Sequence, residues 1–266
     1  MGHRPSGAAR AISKAPLVVS RRRAVVLSAL LPLLPVFVSP AGASLTASDN
    51  KYDGYASTYD DLDDGQIAKT LGMADQRRAA VSLARGKTLE VGVGTGINLQ
   101  YYVPERLQSL SLIDLSPGML AQARRKRIGS GTGMATVPTS FVVGNAEELP
   151  FEDATFDSVV DTFSMCVYEN PQRALSEMAR VLKPGGTLLL LEHSKSKSIP
   201  LLGAYQDLTA GPAASLGGKG CVYNQDVDGL ISNVGTGALQ VVERVEFLGG
   251  LIVSYVLIRS NLHGKK

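Results

Sequence analysis

Acidic residues are missing from the first 48 positions of this 266-residue chain: no Asp or Glu precedes Asp49, while Arg4, Arg10, Lys14, Arg21, Arg22 and Arg23 all do. The formal net charge of +3 therefore belongs to the N-terminus. The other 21 Lys and Arg stand against 24 Asp and Glu, which leaves residues 49–266 slightly negative. A body of that sign offers no basic groove, which argues against a nucleic-acid partner. Cysteine is nearly absent. Cys166 and Cys221 are the only two, with no CxxC and no interleaved His, so neither a zinc site nor a disulfide framework is expected, and each reads as a small buried hydrophobe. Long apolar runs are missing as well. Ala24–Val38 is short for a membrane span and is interrupted by Pro32 and Pro35. No internal repeat is found. What remains, 44% apolar and 19% charged, is globular composition.

Residues 1–43 read as an address. Residues 1–20 are basic and rich in small side chains, as transit peptides are. Arg21–Arg23 then precede the apolar stretch, and Ala41-Gly42-Ala43 is a small-x-small cleavage pattern. The arrangement is similar to twin-arginine signals. A plastid location with peripheral membrane association is expected, a mitochondrial one being the alternative. The domain proper begins at residue 44.

Within that domain, strand and helix patterns alternate. Gly65–Arg85 has helical periodicity, with Ile67, Leu71, Met73, Ala80, Val81 and Leu83 as its apolar set. Strands are expected at Thr88–Val91, Ser109–Leu115, Phe141–Val143, Phe156–Thr162 and Thr187–Leu191. Helices are expected at Pro117–Lys126, capped by Ser116, and at Pro171–Leu182, capped by Asn170 and ended by Lys183-Pro184-Gly185-Gly186. Repeated strand–helix units with apolar strands imply a parallel sheet covered on both faces. The chain ends differently. Gln240–Phe247 and Leu251–Arg259 are separated only by a Gly249-Gly250 corner, so they should be antiparallel. Residues 194–239 are too long for a simple connection and are expected to form a substrate lid, with Leu201, Leu202, Tyr205 and Leu208 as the apolar face of its helix.

The first strand runs into Gly92, Gly94 and Gly96, where an open α/β sheet binds its ligand. A dinucleotide fingerprint, GxGxxG, fails in both frames, at Ile97 and at Leu99, and no P-loop GK[ST] exists. Asp114 ends the second strand, where a carboxylate can accept both hydroxyls of a ribose. Asn145 follows the third, where an amide can pair with an adenine edge. Glu90 ends the first, beside the glycines, and makes sense next to a ligand ammonium. Singly, Asp114 could cap a helix and Asn145 make a turn. Their joint placement at successive strand ends points to a nucleoside.

LEVGVGTG, LIDLSPGML, GNAEELPFEDATFDSVV and ALSEMARVLKPGGTLLLLEH, in that order over about residues 50–195, closely resemble class I S-adenosylmethionine-dependent methyltransferases, above all the UbiE-like quinone-biosynthesis group. The resemblance implies a Rossmann-like α/β fold: a seven-stranded sheet, parallel except for an antiparallel last strand, with helices on both faces. It implies S-adenosyl-L-methionine as cofactor, with Glu90, Gly92, Gly94 and Gly96 along its methionine part and Asp114 on its ribose. Leu115 and Met119 would flank the adenine, and Asn145 and Ala146 would meet its edge. Asn145 stands where many relatives have Asp. Tyr52, Tyr55 and Tyr59 fall where relatives lay an aromatic segment over the cofactor, and Tyr59 is taken as the contact. DTFSMCVYENPQRAL, LLEH and KGCVYNQD are also similar to small membrane-associated alkyl thiol methyltransferases, at Cys166, Glu192, His193, Cys221 and Asn224.

Methyl transfer from a sulfonium needs alignment and exclusion of water, and for a hydroxyl or thiol acceptor it can need a base. His193 is the expected base, oriented by Glu192, a structural histidine being the alternative. Asp161 and Tyr168 are expected to face the acceptor, which should be small and lipophilic: a quinone or phenol, a thiol or a lipid amine. The rival readings are a cofactor-binding protein that has lost catalysis and a nicotinamide-dependent oxidoreductase.

Overall fold

A computed structural model describes residues 52, 53, 56, 70–129, 133–216, 220–235 and 237–261. The expected targeting segment, Tyr55 and Tyr59 lie outside these residues. In chain order the main elements are α1 (Met73–Val81), β1 (Gly86–Val91), β2 (Leu107–Asp114), α2 (Pro117–Gly129), β3 (Thr139–Val143) and β4 (Phe156–Thr162). They continue with α3 (Pro171–Val181), β5 (Leu182–His193), α4 (Pro200–Leu216), α5 (Val227–Ser232), β6 (Leu239–Phe247) and β7 (Ile252–Arg259).

The strands form one seven-stranded sheet in the order β3-β2-β1-β4-β5-β7-β6. Neighbours from β3 to β5 run parallel, and β7 is antiparallel to both β5 and β6. The Gly249-Gly250 corner is a left-handed turn, with φ of 67° and 87°, conformations that glycine adopts without steric cost. Lys183–Gly186 is an excursion within β5: Leu182 pairs with Phe156 and Thr187 with Ser158, so four residues face one.

Burial follows the period of two expected for a strand covered on both faces. In β5, Leu188 and Leu190 join the apolar cluster containing Leu175 and Met178 of α3, while Leu189 joins the one containing Leu120 and Ala123 of α2. Leu188, Leu189, Leu190 and Leu191 are fully buried, each contributing ~1.5–3 kcal/mol relative to exposure. Asn170 caps α3 by accepting from the Arg173 N–H at 2.9 Å, and Ser116 accepts from Met119 at 3.1 Å at the start of α2. The apolar set expected for the first helix is rearranged: Leu71 and Leu83 face solvent, while Arg77 takes a buried position beside Ala80 and Val81.

Residues 194–239 contain α4 and α5, and the apolar face expected for α4 does not turn inward. Leu201, Tyr205 and Leu208 are exposed, at 83%, 53% and 76%, while Gly203, Gln206 and Ala210 face inward. Gln206 ties the helix to the end of β5, accepting from Ser196 N at 2.7 Å and donating to the Ser194 carbonyl at 2.9 Å. The inner face is occupied by small and polar side chains, so the leucines turn outward.

Candidate active site

The sheet order reverses between β1 and β4, because β1 leads leftward to β2 while β4 leads rightward to β5. A cleft of about 400 Å³ opens there, beyond the carboxyl ends of the strands. One end is bounded by the glycine loop, Asp114 and Asn145, the other by Tyr168, Cys166, His193 and Cys221, with Tyr52 and Arg77 also on the wall.

The three glycines have different work. All have positive φ, at 62°, 55° and 80°. A Cβ on Gly92 would collide with the Ser164 side chain, and one on Gly96 would come within 3.0 Å of the Ala123 backbone in α2. Gly94 alone of the three has nothing within 4 Å of its Cβ direction, and its backbone borders the cleft. Gly94 therefore leaves room for a ligand, Gly92 lets β4's loop approach, and Gly96, which does not line the cleft, lets α2 approach.

Asp114 accepts from the Gly94 N–H at 2.8 Å through one oxygen and from the Ser116 N–H at 2.9 Å through the other. Burial pushes its carboxyl above the usual range, against these two donors. Leu115, exposed, and Met119, buried, flank this end of the cleft; Asn145 and Ala146 border it. The Asn145 side-chain oxygen, Oδ1, accepts from the Glu147 N–H at 2.9 Å, so the side chain shapes its own turn as well as lining the cleft.

Glu90 does not line the cleft. It is fully buried, accepting from Asn98 Nδ2 at 2.9 Å and from the Tyr102 hydroxyl at 2.8 Å. Burial pushes its carboxyl up to about 7, with Tyr102, Asn98 and the Arg77 charge opposing. Arg77, Asn98 and Thr162 lie between it and the cleft. Arg77, only 7% exposed, donates to Asn98 Oδ1 at 3.0 Å and to Thr162 Oγ1 at 2.8 Å, and its guanidinium lies 4.8 Å from the Phe163 ring centroid. Sequence reasoning overlooked Arg77. The signal was its register: it stands four residues from both Met73 and Val81, a cation on the apolar stripe of a helix.

At the other end, Tyr168 lines the cleft and its hydroxyl donates to Asp161 Oδ1 at 3.4 Å. Asp161 does not face the acceptor as expected. It is fully buried behind Tyr168, its Oδ2 has no hydrogen-bond partner among the described residues, and burial pushes it up to about 7. Glu192 does not orient His193 either. Adjacent residues on a strand point to opposite faces, and Glu192 instead accepts from the backbone N–H groups of Ser164, at 3.4 Å, and Met165, at 3.3 Å. His193 faces the cleft, with its ring 4.9 Å from that of Phe163 and Nδ1 3.7 Å from Cys221 Sγ. Cys166 is buried, and hydrogen bonding with Cys221 and burial push its thiol up. Asn224 lies apart, donating to Asp207 at 3.1 Å on the surface. Of the described residues in 194–239, only His193's neighbour Cys221 borders the cleft. Phe163, between Arg77 and His193, holds φ at 57°, a conformation rare for a bulky side chain.

The family profile described as "Methyltransferase domain" matches residues 89–190. The chain is 40% identical to phosphatidylethanolamine N-methyltransferase of Cereibacter sphaeroides over 128 residues, 47% of this chain and 61% of that one. It is 33% identical to demethylmenaquinone methyltransferase of Renibacterium salmoninarum over 173 residues, 62% of this chain and 69% of that one. The chain thus spans less than two thirds of the first relative's length and slightly more of the second's. Among solved structures, N-methyltransferase NodS of Bradyrhizobium japonicum, in complex with S-adenosyl-L-homocysteine, superposes with a TM-score of 0.55 at 18% identity, covering 79% of this chain and 96% of that one. That likeness speaks to the fold.

Proposed function

Because the chain belongs to the class I S-adenosylmethionine-dependent methyltransferases of UbiE type, we propose that it transfers a methyl group to a small lipophilic acceptor: a quinone or phenol, a thiol or a lipid amine. The cleft carries this reading, with nucleoside-type groups at one end and Tyr168, Cys166 and His193 at the other.

The residues present fit the cofactor. Asp114 can accept from the ribose hydroxyls while its other lone pairs hold the glycine loop. Gly94 lets the backbone approach. Arg77 supplies a buried guanidinium on the cleft wall, suited to a carboxylate. When bound, S-adenosylmethionine supplies an electrophilic methyl group on a sulfonium. Phe163, Val167 and Tyr168 exclude water on the acceptor side, and His193 and Tyr168 are the polar groups within reach of an acceptor proton.

The names of the two curated relatives support a lipophilic acceptor, one concerning a phospholipid and the other a quinone. The exposed Leu201, Tyr205 and Leu208 of α4 support a peripheral place at a membrane from which such an acceptor is drawn. No helix among the described residues is long and apolar enough to cross one. The composition of residues 1–43 supports a plastid location, which fractionation of a tagged protein with protease protection tests. The function is tested by screening plastid lipid extracts with labelled donor. Turnover of any acceptor would sink the inactive-protein reading. Micromolar S-adenosylhomocysteine binding without NAD binding would sink the oxidoreductase.

A further inference from the structure

The fold brings together three side chains that lie far apart in the sequence. The sulfurs of Cys166 and Cys221 and a ring nitrogen of His193 all lie within 4.8 Å of one another. Tetrahedral zinc, with bonds of ~2.3 Å to sulfur and ~2.0 Å to nitrogen, sets its ligand atoms roughly 3.5–3.8 Å apart. Cys221 Sγ and His193 Nδ1 are already 3.7 Å apart. The remaining approach is within the reach of side-chain rotation.

The three positions are fixed by backbone rather than by chance exposure. His193 is paired with Ile252 of β7 in the sheet. The Val222 N–H donates to the Cys166 carbonyl at 2.7 Å, which holds Cys221 beside Cys166. The chain beyond is held too: the Lys195 N–H donates to the Gln225 carbonyl at 2.9 Å, and Gln206 Nε2 to the Tyr223 carbonyl at 3.2 Å. Cys166 is 3% exposed, and all three residues border the cleft. Two sulfurs and one imidazole on backbone-anchored positions, with one side toward a ligand cavity, are the donor set and the openness of a three-ligand zinc centre.

We propose that Cys166, His193 and Cys221 bind a zinc ion, leaving its fourth position open to the acceptor end of the cleft. On binding, the two thiols release their protons to solvent, and two thiolates neutralise the dication. Zinc there would lower the pKa of a hydroxyl or thiol in the fourth position, whose proton would leave to bulk water as the acceptor enters. His193 is then a ligand and not a base, and Asp161, buried behind Tyr168, does not take the proton. The metal site stands by itself; the use of its open position rests on the methyl-transfer reading.

The test is metal analysis of the full chain purified under reducing conditions without chelator, followed by replacement with cobalt and optical spectroscopy. One zinc per chain should survive dialysis. The cobalt form should show thiolate-to-metal charge transfer in the near ultraviolet and the intense visible bands of four-coordinate cobalt. Cys166→Ser and Cys221→Ser should each lose the charge transfer of its own thiolate, and His193→Ala should shift the visible bands. S-adenosylhomocysteine titration of every variant reports whether it is folded. Bound ligand with no charge-transfer band in the parent protein overturns the zinc site. So does a Cys166–Cys221 disulfide whose reduction yields no metal uptake, or unchanged cobalt spectra in both serine variants. Zinc bound with no S-adenosylhomocysteine affinity would instead overturn the methyltransferase reading and leave the metal site standing.

Discussion

Glu90→Gln should stabilise the protein, and increasingly so as pH rises. Burial holds the folded Glu90 carboxyl at about 7 against an ordinary 4.5. Below pH 4.5 the group is protonated whether the chain is folded or not, and it contributes no difference. Between pH 4.5 and 7 the unfolded chain loses the proton and the folded chain keeps it. The folded state then binds more protons, so the free energy of unfolding falls as pH rises. At 1.36 kcal/mol per pH unit, that window costs about 3 kcal/mol, fully expressed above pH 7. Glutamine has the same shape, accepts from Asn98 as Glu90 does, donates to the Tyr102 oxygen in place of accepting from it, and carries no charge to bury. Urea unfolding at pH 5 and pH 8 should therefore show the two proteins nearly equal at the lower pH and Glu90→Gln ahead by about 3 kcal/mol at the higher. Asp161 is raised in the same direction, in part by the Glu90 charge, so the substitution also relieves Asp161 and adds to the gap in the same sense. A gap of opposite sign at pH 8 would refute the reasoning. It would mean that Arg77 outweighs burial and holds Glu90 ionised.

Gly94→Ala should cost only its left-handed backbone, ~1–2 kcal/mol, yet weaken S-adenosylhomocysteine binding, whereas Gly96→Ala adds a collision with α2 and should unfold at clearly lower urea; equal effects on binding and stability in both would contradict the division of work. Asp114→Ala should reduce affinity about tenfold or more, the ~1.5–3 kcal/mol of a hydrogen bond to a charged group, for S-adenosylhomocysteine and for methylthioadenosine alike, because both carry the ribose. Arg77→Met should weaken only the first of these, since the second has no carboxylate; calorimetry with both ligands separates the roles. Asn170→Ala should lower stability by ~1 kcal/mol through loss of the α3 cap, leaving affinity unchanged by the same titration.

The fold was legible because its signals are local. Apolar strands, the caps at Ser116 and Asn170 and the Gly249-Gly250 corner can each be read within a few residues, and the sheet follows from their order. Strand starts were less so: Gly86 and Thr139 open β1 and β3 through pairing with β2, which no local pattern records. The nucleoside end of the site was legible for the same reason as the strands, since Asp114 and Asn145 sit at their ends. The acceptor end was not. Which way Glu192 and Asp161 point depends on a period of two counted from an origin that only the sheet supplies. Cys166, His193 and Cys221 come from three separate strand ends and loops, so their meeting leaves no spacing to read. The leucines of α4 looked like a lid because periodicity identifies a face without saying what it meets.

Phe163 joins the two ends of the cleft. Its ring touches the Arg77 guanidinium on one side and the His193 imidazole on the other, and its backbone is held at a φ of 57°. Relaxing that torsion would swing the ring away from both neighbours. The benzyl group therefore spans the donor and acceptor ends of the cleft through contact with both.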